Sequence, residues 1–381
     1  MPGWAFIPFF AALCGIGCYV FTLWCTISFR LRQTVPREES FTPPVSILKP
    51  LCGMDPHAYE SLRSHCLQDY PQYEIIFGVA DPADEIVPVV QKLIEEFPQV
   101  PIKLVYSPEV LGSNLKVSNL LQMLPNARHD FLLINDSDIH VPRTYLRQVL
   151  APLEDSSTGM TTCLFRCVAG RTIGSKLEAL GISSDFIPGV LCAKRLDGGI
   201  RFALGSTLAF SRRALAQIGG LAPLADFLAD DYQIGYRMSQ AGLRVELAGC
   251  IVDHHLPEYS FREFLQHQLR WARAVRTSRP GGYAGLIFTY VIPWSLLTVL
   301  LTSGAAWTWL LFACAVILRY SVWLAAEAHV LREPRPGKGF WLLPVRDLVN
   351  LAVWFASYLG REVVWRGRRF ELVNGKLQSR R

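Results

Sequence analysis

Charge is missing in two long stretches of this chain. No charged residue precedes Arg30, and none occurs between Gly281 and Leu318. The first stretch, Met1 to Phe29, contains Trp4, Tyr19 and Trp24 and exceeds the roughly 20 residues a membrane helix needs. It has neither an early positive segment nor a small-x-small cleavage site, which excludes a cleaved signal peptide and predicts a membrane span. Arg30, Arg32 and Arg37 follow it with nothing positive before, so the charge rule puts the residues after 30 in the cytoplasm. The second stretch stays apolar to Ala326, long enough for two spans joined by a turn near Ser303-Gly304. Arg319, toward its far end, is expected to snorkel to the cytoplasmic interface.

Paired cysteines are also missing. The ten cysteines include no Cys-x-x-Cys, so zinc ribbons and dithiol redox motifs drop out and free cytoplasmic thiols are expected. Cys163 and Cys167 are four apart, with no further ligand near in sequence to complete a zinc site. The net charge of +6 is not carried by basic residues interleaved with aromatics on one soluble module. Nucleic acid is therefore the weaker partner and an anionic membrane surface the better one. Trp341 to Leu359 is apolar but broken by Arg346, Asp347 and Asn350. Were it to cross, the tail with Arg361, Arg366, Arg368, Arg369, Lys376, Arg380 and Arg381 would lie outside, against the charge rule. It is read as an interfacial or re-entrant helix, with a fourth span as the alternative.

Between the apolar ends lies alternating strand and helix. Val45–Lys49, Tyr73–Ala80, Ile102–Tyr106 and Phe131–Ile134 read as strands. Tyr59–Leu67, Ile86–Phe97 and a segment within Leu111–Leu124 read as the helices between them. This order predicts right-handed crossovers and a parallel sheet with helices on both faces. Arg201–Phe210 and Val245–Leu247 read as further strands, and Tyr232–Ala241 and Ser260–Arg276 as helices. Phe131-Leu132-Leu133-Ile134 runs into Asn135-Asp136-Ser137-Asp138, which places two carboxylates at the carboxyl end of a buried strand, where ligands of open α/β sheets bind. Asp81 ends the second strand at the same edge. Two carboxylates one residue apart can face one hard cation, the usual partner of a nucleotide diphosphate.

With Asp230-Asp231 at the start of a helix and His267-Gln268-Leu269-Arg270-Trp271 on the helix entering the membrane, these positions resemble the signature of the ceramide glucosyltransferase family. Its members are inverting, membrane-bound GT-A glycosyltransferases. Within it the chain resembles the bacterial hopanoid-biosynthesis-associated glycosyltransferases. The resemblance covers roughly residues 43 to 279, including Val45–Leu51, Leu67–Pro71 and Lys116–Leu120, and Trp365–Phe370 of the tail is also similar. It implies a GT-A α/β domain at 30–280, flanked by a helix at 1–29 and two helices at 281–326, with a loop, an interfacial helix (341–359) and a basic tail at 327–381. The protein would be multi-pass in the inner, cytoplasmic membrane, its catalytic domain facing the cytoplasm.

The same resemblance implies the chemistry. Asp81 would accept a hydrogen bond from the uracil imide of a UDP-sugar, and Lys116 would reach the donor phosphates. Asp138 would hold Mg²⁺ or Mn²⁺ against the diphosphate, with Asp136 toward the ribose or a metal-bound water. Asp231 would be the general base, its apparent pKa raised by Asp230. Arg270 would pair with the departing diphosphate and Trp271 would stack near sugar or acceptor. His267 stands where the family has Gln or Arg. His254 and His255 are read as ordinary loop histidines, with a cation ligand as the lesser alternative. The expected reaction moves one sugar, N-acetylglucosamine in first preference, to a lipid hydroxyl, a hopanoid polyol in first preference. Glucose transfer to ceramide and processive polysaccharide synthesis are the enzyme alternatives, and a membrane-anchored binding protein is the non-enzymatic one.

Overall fold

Short apolar runs bounded by Pro, Gly and Asp form most of the strands, as their composition predicts. The computed structural model describes residues 3–30, 41–365 and 367–379. Arg32, Arg37, Arg366, Arg380 and Arg381, which enter the charge argument, lie outside the described residues. Two compact units result: a sheet unit of Leu31–Gly170, Asp197–Pro257 and Gly375–Arg381, and a helical unit of Met1–Arg30, Arg171–Leu196 and Glu258–Asn374.

The sheet unit is built on eight strands: β1 (Val45–Pro50), β2 (Tyr73–Val79), β3 (Ile102–Tyr106), β4 (Phe131–Ile134), β5 (Ile139–His140), β6 (Thr158–Val168), β7 (Leu208–Ser211) and β8 (Arg244–His255). They lie in the order β3-β2-β1-β4-β7-β6-β8-β5. Strands β1 to β4 pair in parallel, with Ile47 opposite both Ile75 and Leu133. Strand β7 then runs antiparallel to β4 and β6, so the sheet is parallel-rich but mixed. The difference from the expected parallel sheet has a positional consequence. Because β7 opposes β4, with Leu208 against Ile134, the turn entering β7 arrives beside the residues leaving β4.

Two strand boundaries also differ from expectation. Of the 201–210 stretch only Leu208–Phe210 is strand, part of β7, since Leu204–Thr207 is a tight turn closed by Thr207 N–H on the Leu204 carbonyl at 3.1 Å. Strand β8 runs twelve residues rather than three. It pairs in parallel with β6, and its end pairs with β5, placing Ile139 opposite His254. Strand β6 is largely buried yet carries Thr and Cys among its apolar residues, so its alternation is not visible in the sequence.

In the helical unit, Gly3–Ser28 and Ala306–Val330 are long and apolar enough to cross a membrane. Pro280–Thr289 and Val291–Leu301, bent by 48° at their junction, would form a third span if they act as one. The expected turn is present: Ser303 and Gly304 take φ of 53° and 74°, a left-handed pair that reverses the chain. The segment Arg171–Leu196 adds helices Ile173–Gly181 and Ile187–Leu196, joined by a π-helical turn at Ile182–Phe186.

Arg319 does not snorkel. It is fully buried and forked on Asp347, with Nη2 to Oδ1 at 2.7 Å and Nε to Oδ2 at 3.1 Å, and it also meets Asp185 at 2.9 Å. Two carboxylates inside the bundle neutralise the guanidinium where it stands, which removes the drive to reach water. Helix Leu343–Tyr358 is arranged accordingly. Its Arg346 and Asp347 are buried while Val345, Leu348 and Phe355 are exposed, the reverse of a water-facing amphipathic helix and suited to an apolar surround. Arg319→Ala should cost about 3–5 kcal/mol by leaving buried carboxylates unpaired. Thermal unfolding in detergent should show a large drop for that variant and partial recovery when Asp347→Ala is added.

Candidate active site

Strand β4 ends at the buried Asn135, whose amide donates to the Ser206 carbonyl at 2.6 Å and to Tyr145 Oη at 3.3 Å. From β1, Lys49 reaches across: its ammonium donates to Asn135 Oδ1 and to the Asp136 carbonyl, the latter at 2.8 Å. Burial pushes the Lys49 amine down to about 7, with Asp138, Asp136 and Asp55 pulling it back up. Lys49 thus anchors the backbone of the Asp136-Ser137-Asp138 turn, a role the sequence reading did not assign. The available signal was a lysine inside an otherwise apolar, both-faces-buried strand.

A second cation organises the carboxylates. Helix Leu115–Met123 starts on Asn114, whose side chain accepts from Val117 N–H at 3.1 Å and donates to Asp230 Oδ1 at 3.2 Å. That cap sets Lys116 on the first turn. Its ammonium lies 2.7 Å from Asp136 Oδ1 and 3.5 Å from Asp230 Oδ2. Burial would lower the Lys116 amine, but Asp136, Asp230 and Asp231 outweigh it and hold it above the usual lysine range. Asp230 and Asp231 open helix Asp230–Gln240, with Asp231 Oδ1 accepting from Tyr232 N–H at 2.7 Å.

Asp231 and Asp136 face each other across Gly205, in the turn before β7. A Cβ there would lie 3.1 Å from Asp136 Oδ2 and 3.1 Å from Asp231 Oδ2. Burial, and next the charge of Asp230, raise the Asp231 carboxyl to about 6, while Lys116 works against the rise. A group so placed accepts a proton near neutral pH. Immediately before the pair, the tail strand Lys376–Ser379 hydrogen-bonds the chain, with Leu377 N–H to the Asp226 carbonyl at 2.7 Å.

Asp138 has a different partner. The β5–β8 pairing carries His254 to it, with Nε2 2.8 Å from Asp138 Oδ2. Burial disfavours charge on both groups, yet their attraction prevails, holding the carboxyl below and the imidazole above their usual ranges. Asp138 Oδ1 is buried without a hydrogen-bond partner. An orphaned carboxylate oxygen is the hard donor that Mg²⁺ or Mn²⁺ takes, and His254, charged on the other oxygen, orients that carboxylate instead of ligating the ion. Among the described residues no three His, Cys, Asp or Glu side chains converge on one point, so such a site would leave positions open for ligand oxygens. His254 is accordingly the residue that the loop reading passed over. Only the strand pairing of His254 with Ile139 brings it near Asp138.

The remaining expected residues stand on other elements. Asp81 is exposed and closes a turn, accepting from Ala83 N–H at 2.8 Å. His267, Arg270 and Trp271 lie on helix Phe261–Ser278 of the helical unit, which opens with a capping box on Ser260 and Glu263. There His267 Nδ1 lies 3.2 Å from Glu178 Oε1, and its ring stacks on Tyr259 and meets Trp271 at 5.5 Å. His267 thereby fills the position with a ring set beside the Glu178 carboxylate and between two aromatic neighbours. Trp271 also packs against Phe186 at 5.5 Å, and Arg270 is half-buried on the same helix.

The carboxylate cluster makes a direct prediction. In carboxyl-labelled protein, NMR titration should give Asp231 a midpoint near pH 6. Asp230→Asn should lower that midpoint by removing a like charge, and Lys116→Met should raise it by removing a cation. No movement in either variant would disprove the coupling.

Comparison with known proteins places this geometry. A solved mannosyltransferase from Pyrobaculum calidifontis, PcManGT, in complex with GDP-Man and Mn²⁺, superposes with a TM-score of 0.56 at 18% identity, covering 93% of this chain and 96% of its own. The likeness is one of fold, the GT-A-like α/β architecture. Ceramide glucosyltransferase 3 of Caenorhabditis elegans is 25% identical over 64% of this chain and 53% of its own length, so the chain spans about half of that relative. Ceramide glucosyltransferase 1 of the same organism is 22% identical over 91% of this chain and 75% of its own, and the Komagataella phaffii ceramide glucosyltransferase 24% over 90% and 85%. The sequence profile of Glycosyl transferase family 21 matches residues 7–378. With nearly the whole chain inside that match, the protein is a membrane-associated glycosyltransferase of family 21.

Proposed function

We propose that this protein transfers a single sugar from a UDP-sugar to the hydroxyl of a membrane lipid, with inversion at the anomeric carbon. The observation that carries the reading is the half-buried Asp231, its carboxyl raised to about 6, facing Asp136 across Gly205. Asp231 takes the proton of the attacking hydroxyl as its oxygen bonds to the anomeric carbon and the bond to the diphosphate breaks. Asp230 keeps the base poised, and Lys116 holds the two carboxylates together until the donor's phosphates compete for its charge. Arg270 pairs with the departing diphosphate, Trp271 lines the sugar or acceptor, and Asp81 reads the uracil imide. No covalent nucleophile is needed, and one base with one displacement gives the β product.

Asp138 would hold Mg²⁺ or Mn²⁺, with Asp136 alongside and His254 orienting the Asp138 carboxylate. The ion, when bound, neutralises charge building on the leaving diphosphate. The GDP-Man and Mn²⁺ held by the Pyrobaculum calidifontis enzyme support a nucleotide-sugar donor and a divalent cation. The names of the curated relatives support ceramide and glucose at least as well as the hopanoid polyol and N-acetylglucosamine preferred from the sequence. The apolar helices Gly3–Ser28 and Ala306–Val330 support a lipid acceptor in either case. The cytoplasmic, inner-membrane placement of the active site and the division of the chain at about residues 30, 280 and 326 belong to the same proposal.

In membranes given UDP-glucose or UDP-N-acetylglucosamine, one hexose or N-acetylhexosamine should appear on ceramide or a hopanoid polyol, with β configuration by NMR. A polymer on any acceptor would overturn single transfer. EDTA should abolish transfer and Mn²⁺ or Mg²⁺ should restore it; turnover that survives exhaustive chelation refutes the metal site. Asp231→Asn should lower kcat by about 10² to 10⁴-fold with donor affinity retained. In the unmutated protein kcat/KM should decline as pH falls through about 6, because the base must be anionic to accept the proton.

A further inference from the structure

The helical unit contains a second polar centre, which the chemistry above does not use. Most of it is satisfied: Arg319 is held by Asp347 and Asp185 and by the Ser184 carbonyl at 2.8 Å. Arg346 is not. Only 6% exposed, it lies over the Phe264 ring at 5.5 Å and donates Nη2 to Gln268 Oε1 at 2.6 Å, while Nε and Nη1 are buried without a hydrogen-bond partner. Its Nε lies 3.9 Å from Asp185 Oδ2, too long for a hydrogen bond. Asp185 accepts from Asn350 Nδ2 at 2.9 Å and from Ser184 Oγ at 3.0 Å, and its side chain stays about one-third exposed at 34%. Unmatched donors on a buried charge are unfavourable enough that native structures rarely leave them without a ligand.

The local backbone is shaped to this arrangement. At Gly181, inside a helix, an added Cβ would collide with the Arg346 guanidinium, so the glycine admits the arginine. The π-helical turn Ile182–Phe186 that follows is a form frequent at functional sites. It sets Asp185 on Arg319 and the next residue, Phe186, against Trp271 of the signature helix at 5.5 Å. Exposed Val345, Leu348 and Phe355 give the neighbouring helix an apolar outer surface.

We propose that Asp185 and Arg346 form the subsite for the hydroxylated head of the acceptor lipid, an inference that rests on the lipid-acceptor reading above. A hydroxyl donates and accepts at once. It can give its proton to Asp185 and receive from Arg346 Nε or Nη1, joining two side chains that make no hydrogen bond to each other. A phosphate would suit Arg346 but would meet the charges of Asp185, Asp347 and Glu178. The subsite therefore selects a neutral hydroxylated head over an anionic one, and the apolar outer face receives the chains.

The test uses the full chain in detergent, with a short-chain ceramide and a hopanoid polyol as acceptors. Asp185→Asn and Arg346→Gln should each raise the acceptor KM by about tenfold to a hundredfold while the donor KM moves by less than about twofold. Arg346→Lys should recover part of the loss, and the phosphorylated form of the accepted lipid should not compete. A wild-type protein that glycosylates neither lipid refutes the lipid-acceptor reading itself. Normal transfer to lipid with acceptor KM unchanged in both variants refutes the subsite alone. Should the variants unfold, a diazirine-bearing ceramide on the wild-type protein decides: labelling within 182–186 or 343–350 supports the subsite, and labelling only elsewhere overturns it.

Discussion

Three carboxylates share one ammonium at the edge of the sheet, and the rest of the site depends on that arrangement. Asp136, Asp230 and Asp231 cannot approach one another as anions without a cation between them, and Lys116 supplies it at 2.7 Å from Asp136 and 3.5 Å from Asp230. In the proposed reaction the same cation is what a diphosphate would recruit on binding. Its withdrawal would leave the carboxylates less neutralised and Asp231 a stronger base when the acceptor hydroxyl has to lose its proton. Lys49 does the complementary work behind the turn, fixing the Asp136 carbonyl from β1.

The helical unit solves an analogous problem in apolar surroundings. Arg319 inside an apolar helix is tolerable only because Asp347 and Asp185 neutralise it from two other segments. The consequence is a helix, Leu343–Tyr358, whose ionic face is buried and whose apolar face is exposed. It is also a segment, Arg171–Leu196, that belongs with the apolar helices rather than with the sheet it interrupts. Local composition gave no sign of that, because Ile173–Leu196 carries Lys176, Glu178, Asp185, Lys194 and Arg195 and is not apolar enough to read as a span.

Much of the site was legible because its residues sit at element boundaries that local rules mark. Asp136 and Asp138 follow four apolar residues, and Asp230 and Asp231 open a helix whose periodicity is clear, so both pairs could be assigned by position. His254 could not. Its relation to Asp138 exists only through the antiparallel pairing of β5 with β8, two strands separated by more than a hundred residues. Gly205 and Asn114 were missed for the same reason: nothing beside them in sequence says that one spaces two carboxylates and the other clamps a third.

By itself the sequence determined the strand and helix order from Val45 to Ile134, the apolar ends, the carboxylate pairs and the family signature, since each depends on residues within one or two turns of one another. Tertiary structure alone decided which cation meets which carboxylate. It reversed β7 against β4, so that Gly205 separates Asp136 from Asp231, and it buried Arg319 instead of letting it snorkel. The physical reason is common to all of these. Charge balance at a buried site is settled by groups that are close in space, and the chain brings them together from segments whose local patterns carry no record of one another.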